Sequence, residues 1–177
     1  MESTGILRKI DELGRIVIPK EIRKKLKIHD DDYVEIFFSD DAISLKKHSK
    51  VKYLSSFAQQ LTDIVFSYTN NEIFIADKYN VIAYSGNNKK NYLNKEISNS
   101  LYESINRRES IMQNHLKTLK IDNNSEEIKC SFVMDAIISS SDSIGTIVMY
   151  SENKILNNSD MNIIKIINSF LNKYLED

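Results

Sequence analysis

The sequence is poor in cysteine and histidine and contains no long apolar run. Among its 177 residues one is a cysteine and three are histidines, so an internal disulfide is excluded and no cluster has zinc-ligand spacing. No segment approaches the roughly 18 consecutive apolar residues of a membrane span. The first five residues include neither the basic nor the apolar stretch of a secretory signal. We therefore expect a cytoplasmic protein without membrane association, disulfides or a metal centre.

Motifs for catalysis are also missing. The sequence contains none of the patterns G-x-x-x-x-G-K, G-x-G-x-x-G, H-E-x-x-H and G-x-S-x-G. Residues 30–32 are three aspartates, but they lack the alternating spacing and glycine of a calcium loop, which favours a solvated acidic loop. Cys130 begins a predicted strand, which favours a small buried hydrophobe over a sensor thiol. We expect no enzymatic activity and no cofactor.

Charge and asparagine are unevenly distributed. Residues 1–29 carry eight Lys and Arg against four Asp and Glu, a net charge of +4; because the whole chain carries −1, residues 30–177 carry −5. Such asymmetry indicates a basic face for an anionic partner. All 18 asparagines lie at or after Asn70, which marks a boundary in composition. We predict three parts: residues 1–50 as one unit, residues 51–69 as a connecting helix, and residues 70–177 as a second globular unit.

The first unit has the pattern strand, strand, helix, strand, strand. The predicted elements are strands at 6–10 and 15–18 around a turn at 11–14, a helix at 20–27 after Pro19, and a hairpin of strands 33–38 and 42–47 around residues 39–41. One short helix cannot cover the apolar faces of both hairpins. We therefore expect an obligate dimer with hairpins interleaved between two chains.

The rest of the chain alternates helix and strand signals. The predicted elements are a hairpin of strands 73–76 and 81–84, helices at 94–105 and 110–117, a polar loop at 120–127, strands at 129–138 and 143–151, and a helix at 161–175 with Ser159 or Asp160 as N-cap. In residues 51–68 the apolar side chains are spaced 3, 4, 3 and 4 residues apart, at Leu54, Phe57, Leu61, Ile64 and Tyr68. This seam either packs on its own domain or joins helices of two chains.

Arginines of the first unit are the best candidates for a binding site. Arg8, Arg15 and Arg23, with Lys24, are placed on predicted strands and a helix of a rigid scaffold. An exposed guanidinium can donate two parallel hydrogen bonds to phosphate or to the O6/N7 edge of guanine. A two-fold dimer would present each of them twice to a two-fold duplex. Ordinary solvated surface charge is the alternative interpretation.

The order of residues 4–26, TGILRKIDELGRIVIPKEIRKKL, closely resembles the DNA-binding segment of AbrB-type transition-state regulators, and the match extends to Lys47. Residues 85–98 resemble the second domain of a sporulation regulator of this family. The resemblance implies a mixed fold: a swapped-hairpin β-barrel dimer at the N-terminus and a GAF-like α/β domain at the C-terminus. It also implies that helices at 51–68 and 160–175 join GAF-like domains, with a tetramer as the expected assembly.

The resemblance further implies a transcriptional regulator of late sporulation genes, located in the cytoplasm of the forespore, that prefers AT-rich duplex. The DNA-contacting residues it implies are Arg8, Arg15, Arg23 and Lys24, with Lys9 and Lys25 as auxiliary phosphate contacts. Lys24 stands where relatives often have arginine. Lysine offers a point charge rather than a planar fork, so phosphate contact is retained while bidentate base reading is lost.

Two questions stay open at this stage. A GAF-like domain can enclose a small ligand, with residues 86–94, the helix after them and residues 117–127 as walls, or its interior can be filled by its own side chains. If a ligand binds there, it could alter dimer geometry through residues 51–69.

The alternative function is the antidote component of a toxin–antitoxin pair that autoregulates its operon. Such a protein would carry a short disordered tail, whereas residues 70–177 show several strand and helix signals.

Overall fold

The computed structural model of the chain describes residues 5–26, 28, 30, 32–39, 41–48, 51 and 54–176. The chain folds into two compact units, Met1–His48 and Ser49–Asp177. The division falls two residues before the predicted boundary, and the predicted connecting helix belongs to the second unit. Residues 49, 50, 52 and 53 around that boundary, residue 27 at the end of the predicted first helix, and residues 31 and 40 of two predicted loops lie outside the described residues.

The described residues of the first unit form helix α1 (Lys20–Leu26) and strands β1 (Val34–Ser39) and β2 (Ala42–Lys47). The two strands pair antiparallel from Val34 opposite Lys47 to Ser39 opposite Ala42, as predicted. The strands predicted at 6–10 and 15–18 are wrong, because neither segment is a strand in the structure. Apolar alternation specifies a strand only when a neighbouring strand supplies hydrogen bonds and cover. The hairpin of β1 and β2 does not pair with either segment.

The second unit is a three-layer sandwich. Its elements are helix α2 (Ser55–Thr69), strands β3 (Glu72–Asp77) and β4 (Val81–Ser85), helices α3 (Lys89–Tyr92) and α4 (Asn99–Asn106), strands β5 (Ser110–Leu119), β6 (Ile128–Ser139) and β7 (Asp142–Ser151), and helix α5 (Asn158–Glu176). The five strands form one antiparallel sheet in the order β4-β3-β7-β6-β5. The prediction of a two-domain mixed fold is confirmed.

Successive side chains of a strand point to opposite faces of the sheet, so the apolar residues of these strands build a core on each face. On β3, Ile73 and Ile75 pack with α2 and α5, while Phe74 and Ala76 pack with α3 and α4. The interior residues of β6 and β7 divide in the same way. Because both faces are covered, the central strands read as nearly continuous apolar runs.

The helix predicted at 110–117 is wrong, because this segment is the edge strand β5, paired with β6 from Ser110 opposite Asp135 to Leu119 opposite Ile128. The order of polar and apolar residues in this segment fits both a helix and a strand, and the pairing with β6 selects the strand. The pairing shifts register between Gln113 and Lys117. A bulge of this kind is common at a sheet edge, where it limits pairing with another chain.

Two helices begin at positions other than those predicted. Asn94 has a φ of +63°, which interrupts a right-handed helix, so α4 begins only after Ser98, whose hydroxyl accepts a hydrogen bond from the Leu101 amide at 3.2 Å. Before α5, the Asn157 side chain accepts from the Ser159 amide at 2.8 Å, and the Asp160 carboxylate accepts from the Asn157 amide at 2.9 Å. Asn157 is therefore the cap, and Asp160 its reciprocal partner rather than the cap itself.

Two kinds of feature are absent from the described part of the chain. None of its helices is long and apolar enough to cross a membrane. Among the same residues no group of three or more His, Cys, Asp or Glu side chains is arranged to hold a metal ion.

Candidate nucleic-acid interface

A tight turn between Asp11 and Arg15 presents a basic residue whose backbone and side chain are both hydrogen-bonded. The Gly14 amide donates to the Asp11 carbonyl at 2.9 Å, and the Asp11 amide donates to the Arg15 carbonyl at 3.1 Å. Gly14 has a φ of +75°, a conformation that glycine adopts at little cost. The turn predicted from the sequence is thus present, and it fixes the backbone from which Arg15 projects.

The Asp11 carboxylate ties this turn to the Arg15 side chain. One oxygen, Oδ1, accepts from the amides of Leu13 at 3.0 Å and Arg15 at 2.8 Å, and the other, Oδ2, accepts from Arg15 Nε at 2.7 Å. Hydrogen bonds from the Arg15 amide and then the Arg15 side chain hold the pKa of this carboxyl below its usual value. The Arg15 side chain stays 72% exposed, and its terminal nitrogens take no part in the ion pair.

Helix α1 carries the second group of basic residues. Three of them, Arg23, Lys24 and Lys25, lie in its last turn, where the helix dipole favours positive charge. Arg23 is half-buried; its Nη1 donates to Asp30 Oδ1 at 3.2 Å, and its Nε is buried without a hydrogen-bond partner among the described residues. The acidic loop predicted as merely solvated therefore engages an arginine, although this exposed pair contributes little to stability.

Two predicted contact residues, Arg8 and Lys9, precede the turn. Arg8 is exposed and donates from Nη1 to the Leu7 carbonyl at 3.1 Å. Lys9, Lys24 and Lys25 are also exposed. All six predicted residues thus lie in the first unit with side chains at least partly accessible to a ligand.

Two acidic residues of this region were not predicted to contact the basic ones. Asp11 was read only as part of a turn, and Asp30 only as part of a loop. Spacing in the sequence is the signal that indicates the contact of Asp11. An aspartate three residues before a glycine commonly accepts amide hydrogen bonds within a turn, and Arg15 directly follows Gly14. Nothing in the local sequence links Asp30 to Arg23, because seven residues separate them.

Apolar side chains are unusually exposed in the first unit. Leu7 is 92% exposed and Phe38 89% exposed, and α1 contains no buried residue. The other exposed apolar residues here are Ile6, Ile10, Leu13, Ile16, Val17, Leu26, Tyr33, Ile36, Phe37, Ile43 and Leu45. Exposure on this scale in a unit of under 50 residues marks an interaction surface.

In the second unit, aromatic side chains fill the space between the sheet and α3. The Tyr84 ring stacks on Phe74 and on Tyr92, each with ring centroids 5.9 Å apart. The Tyr84 and Tyr150 hydroxyls lie 2.6 Å apart. Burial raises the pKa of both phenols, so both are neutral. These contacts fill the space around Tyr84, while a ligand pocket walled by residues 86–94 and 117–127 stays a prediction.

Glu72 connects that aromatic core to the predicted wall at 86–94. Its carboxylate accepts from the Tyr84 hydroxyl at 2.7 Å and from the amides of Asn87 at 2.8 Å and Asn88 at 3.3 Å. A side chain on residue 86 would collide with this carboxylate, because a Cβ on Gly86 would lie 2.2 Å from Glu72 Oε2. The loop is therefore closed over the tyrosines by hydrogen bonds.

The predicted seam of α2 divides into two halves. Phe57 and Leu61 pack against the core of their own unit, whereas Ile64 and Tyr68 are exposed. On α5, Ile166 is 70% exposed beside an open groove of about 610 Å³. This groove is lined by Asn162, Lys165, Ile166, Ser169, Phe170 and Lys173.

Comparison with known protein families gives two matches. Residues 53–176 match the family described as stage V sporulation protein T C-terminal, transcription factor. Residues 7–53 match the family described as antidote-toxin recognition MazE, bacterial antitoxin. The first match covers most of the chain and the second covers the first unit.

Individual relatives agree with that division. The chain is 35% identical over 177 residues to stage V sporulation protein T of Bacillus subtilis (strain 168), with 99% of each chain covered. It is 56% identical over 48 residues to the transition state regulatory protein AbrB of the same organism, covering 27% of this chain and 50% of that protein. A solved structure, the cofactor-binding GAF domain of the nutrient sensor CodY from Clostridium difficile, is 14% identical with a TM-score of 0.49, over 68% of this chain and 83% of that one.

Proposed function

The chain belongs to the stage V sporulation protein T family of transcription factors, and from that premise we propose that it binds double-stranded DNA and regulates sporulation genes. The observation that carries the proposal is the first unit, which has eight Lys and Arg against four acids within residues 1–29. The same segment is where the chain matches a transition state regulatory protein at 56% identity. A basic surface on an otherwise acidic chain favours a polyanionic partner.

We assign the DNA contacts to six of the basic residues of that unit. Arg8, Arg15 and Arg23 are the arginines, which can donate bidentate hydrogen bonds to phosphate or to guanine. Lys24 contributes a point charge to a phosphate, and Lys9 and Lys25 are auxiliary phosphate contacts. Because contacts to phosphate carry no sequence information, we expect the chain to tolerate many sequences. The preference for AT-rich duplex is what the family resemblance implies.

The proposal includes an obligate dimer of the first unit. Its support is the set of exposed apolar side chains around Leu7 and Phe38, which a second copy could bury by interleaving hairpins. Two copies would present each arginine twice, matching the two-fold symmetry of a duplex. We also place the action of the protein late in development, in the cytoplasm of the forespore, as the family resemblance implies.

We further propose that the second units join dimers into a tetramer. The support is the pair of exposed apolar residues Ile166 and Phe170 that line the groove on α5, together with Ile64 and Tyr68 of α2. Sedimentation of Ile166→Glu, compared with Ile155→Glu, tests this. Both isoleucines are exposed, but only Ile166 lines the groove. We expect the first substitution to reduce the assembly to dimers and the second to leave it intact. Tetramers of both variants would refute the α5 groove as the interface, and a dimer of the wild-type chain would refute the tetramer.

We propose that the second unit binds a small ligand only if Tyr92 moves. Because Phe74, Tyr84 and Tyr150 are fully buried and Tyr92 closes the aromatic stack, a ligand would have to displace Tyr92. We therefore assign assembly as the main role of this unit. A metabolite screen by thermal shift, repeated with Tyr92→Ala, tests this requirement. A ligand that must displace Tyr92 should stabilise the variant more than the wild-type chain, and equal stabilisation of both would contradict it.

The alternative function, an antidote that autoregulates its operon, has one supporting observation. Residues 7–53 match an antitoxin family. Against it stands the folded second unit, since residues 54–176 form a sheet and helices where an antidote would carry a disordered tail. Limited proteolysis separates the two functions: we expect a resistant core from the second unit, whereas complete digestion of that region would favour the antidote.

The direct test of the DNA proposal is fluorescence anisotropy of the full chain with a labelled AT-rich duplex at fixed salt. Alanine substitution of Arg8, Arg15 or Arg23 should weaken binding by roughly tenfold each. The matched control is Arg107→Ala, since Arg107 is an exposed arginine of the second unit, paired with Glu103 at 3.4 Å. Equal affinities of the control and the three variants would refute the assignment of these residues.

A further inference from the structure

We propose that Asp11 is a positioning residue for DNA binding, which holds the Arg15 guanidinium in the orientation from which it contacts the duplex. This inference rests on the proposed function, because it takes Arg15 as a DNA contact. The structural basis is that one carboxylate accepts from two backbone amides and from Arg15 Nε, at 2.8–3.0 Å and 2.7 Å. The backbone and the side chain of Arg15 are thus held by the same anchor.

The geometry leaves the outer part of the guanidinium available to a ligand. Arginine has five N–H donors in a planar fork. The ion pair uses the inner donor at Nε and restricts rotation of the group, while the side chain stays 72% exposed. Nη1 and Nη2 carry the remaining four donors, which are the ones a phosphate or a guanine edge receives in a bidentate contact. Restricting rotation before binding lowers the entropy lost when the contact forms.

Charge alone predicts the opposite effect of Asp11. A carboxylate on a DNA-binding surface repels phosphate, so its removal should strengthen binding if the residue is only surface charge. If Asp11 orients Arg15, its removal should weaken binding despite the gain of positive charge. The sign of the change therefore distinguishes the two roles.

Two conservative variants separate charge from geometry. Asp11→Asn retains a side-chain oxygen for the backbone amides and removes the charge-assisted contact with Arg15. Asp11→Glu retains the charge and moves the carboxylate by one methylene. The matched control is Glu12→Gln, which removes the same charge from the next residue of the turn, also exposed. Far-UV circular dichroism should show that all three retain the fold.

Affinity of the full chain for an AT-rich duplex, measured by anisotropy, decides the proposal. We expect roughly three- to tenfold weaker binding for both Asp11 variants, and binding equal to or tighter than wild type for Glu12→Gln. In an Arg15→Ala background, Asp11→Asn should cause no further loss, because its effect passes through Arg15.

Three results would overturn the inference. Binding by Asp11→Asn as tight as wild type would reduce Asp11 to surface charge. An equal loss in the wild-type and Arg15→Ala backgrounds would show that the effect does not pass through Arg15. If the wild-type chain fails to bind at low salt, the proposed function fails and takes the inference with it, so the two failures are distinguishable.

Discussion

Gln59 offers a sharp test of how the connecting helix is attached to the second unit. Its side chain extends from α2 to the backbone of Tyr84 on β4, where Oε1 accepts from the amide at 3.1 Å and Nε2 donates to the carbonyl at 2.9 Å. Because β4 is at the edge of the sheet, the backbone of Tyr84 would otherwise lack these two bonds. The amide of Gln59 thus takes the place of a neighbouring strand.

We expect Gln59→Ala to lower the free energy of unfolding of the second unit by about 2 kcal/mol. The estimate counts two hydrogen bonds to partly buried backbone groups at about 1 kcal/mol each. Gln60 is the matched control, since it is the next residue on the same helix and its side chain is exposed. Gln60→Ala should change the stability by less than about 0.5 kcal/mol.

Urea denaturation followed by far-UV circular dichroism measures the difference, at one protein concentration so that assembly does not contribute. Gln59→Ala should lower the denaturation midpoint with an unchanged slope. Equal midpoints for the Gln59 and Gln60 variants would show that the bonds to Tyr84 are replaced by water at no cost, which would refute the reasoning.

Three further outcomes follow from the described contacts. Burial raises the pKa of the Cys130 thiol to about 12, so it should react with a thiol reagent at pH 8 only after denaturation; rapid reaction in the native chain would contradict this. Leu171 is fully buried, so Leu171→Ala should cost about 3 kcal/mol in urea denaturation, and a loss as small as that of Ile166→Ala would contradict the packing. Hydrogen bonds from Arg15 lower the pKa of Asp11 from 3.8. Their contribution to stability is present above pH 3.8 and is lost as the pH falls through the pKa of the folded chain. An NMR titration of the Asp11 carboxyl should therefore give a midpoint below 3.8, and a midpoint at or above 3.8 would refute the contact.

The second unit shows how far periodicity carries a prediction. The hairpin of β3 and β4, strands β6 and β7 and helix α5 agree with their predicted positions to within a few residues. The strands are apolar runs bounded by polar turns, and α5 has an apolar face with helical spacing. Strand β5 was predicted as a helix, since an edge strand with exposed side chains lacks a decisive period. The start of α4 was missed because it depends on the left-handed backbone of Asn94.

The candidate interface could be predicted from the sequence only in part. Its basic residues are visible in the sequence as an excess of charge, and Gly14 indicates the turn that presents Arg15. The contact of Asp11 with Arg15 Nε was not predicted, because it depends on the path of the backbone through the turn. The strands predicted at 6–10 and 15–18 depend on pairing partners outside the local sequence, and no local pattern specifies what those partners are.

If the first unit binds DNA through its basic residues, the affinity must depend on the salt concentration. Anisotropy of the full chain with a labelled AT-rich duplex should be measured over a series of salt concentrations. If arginines and lysines neutralise phosphates, the logarithm of the affinity should fall linearly with that of salt, by about 0.9 for each phosphate contacted. Arg15→Ala should make the slope shallower, by about twice that amount in a dimer. Absence of binding at low salt, or an affinity that does not change with salt, would contradict DNA binding through these residues.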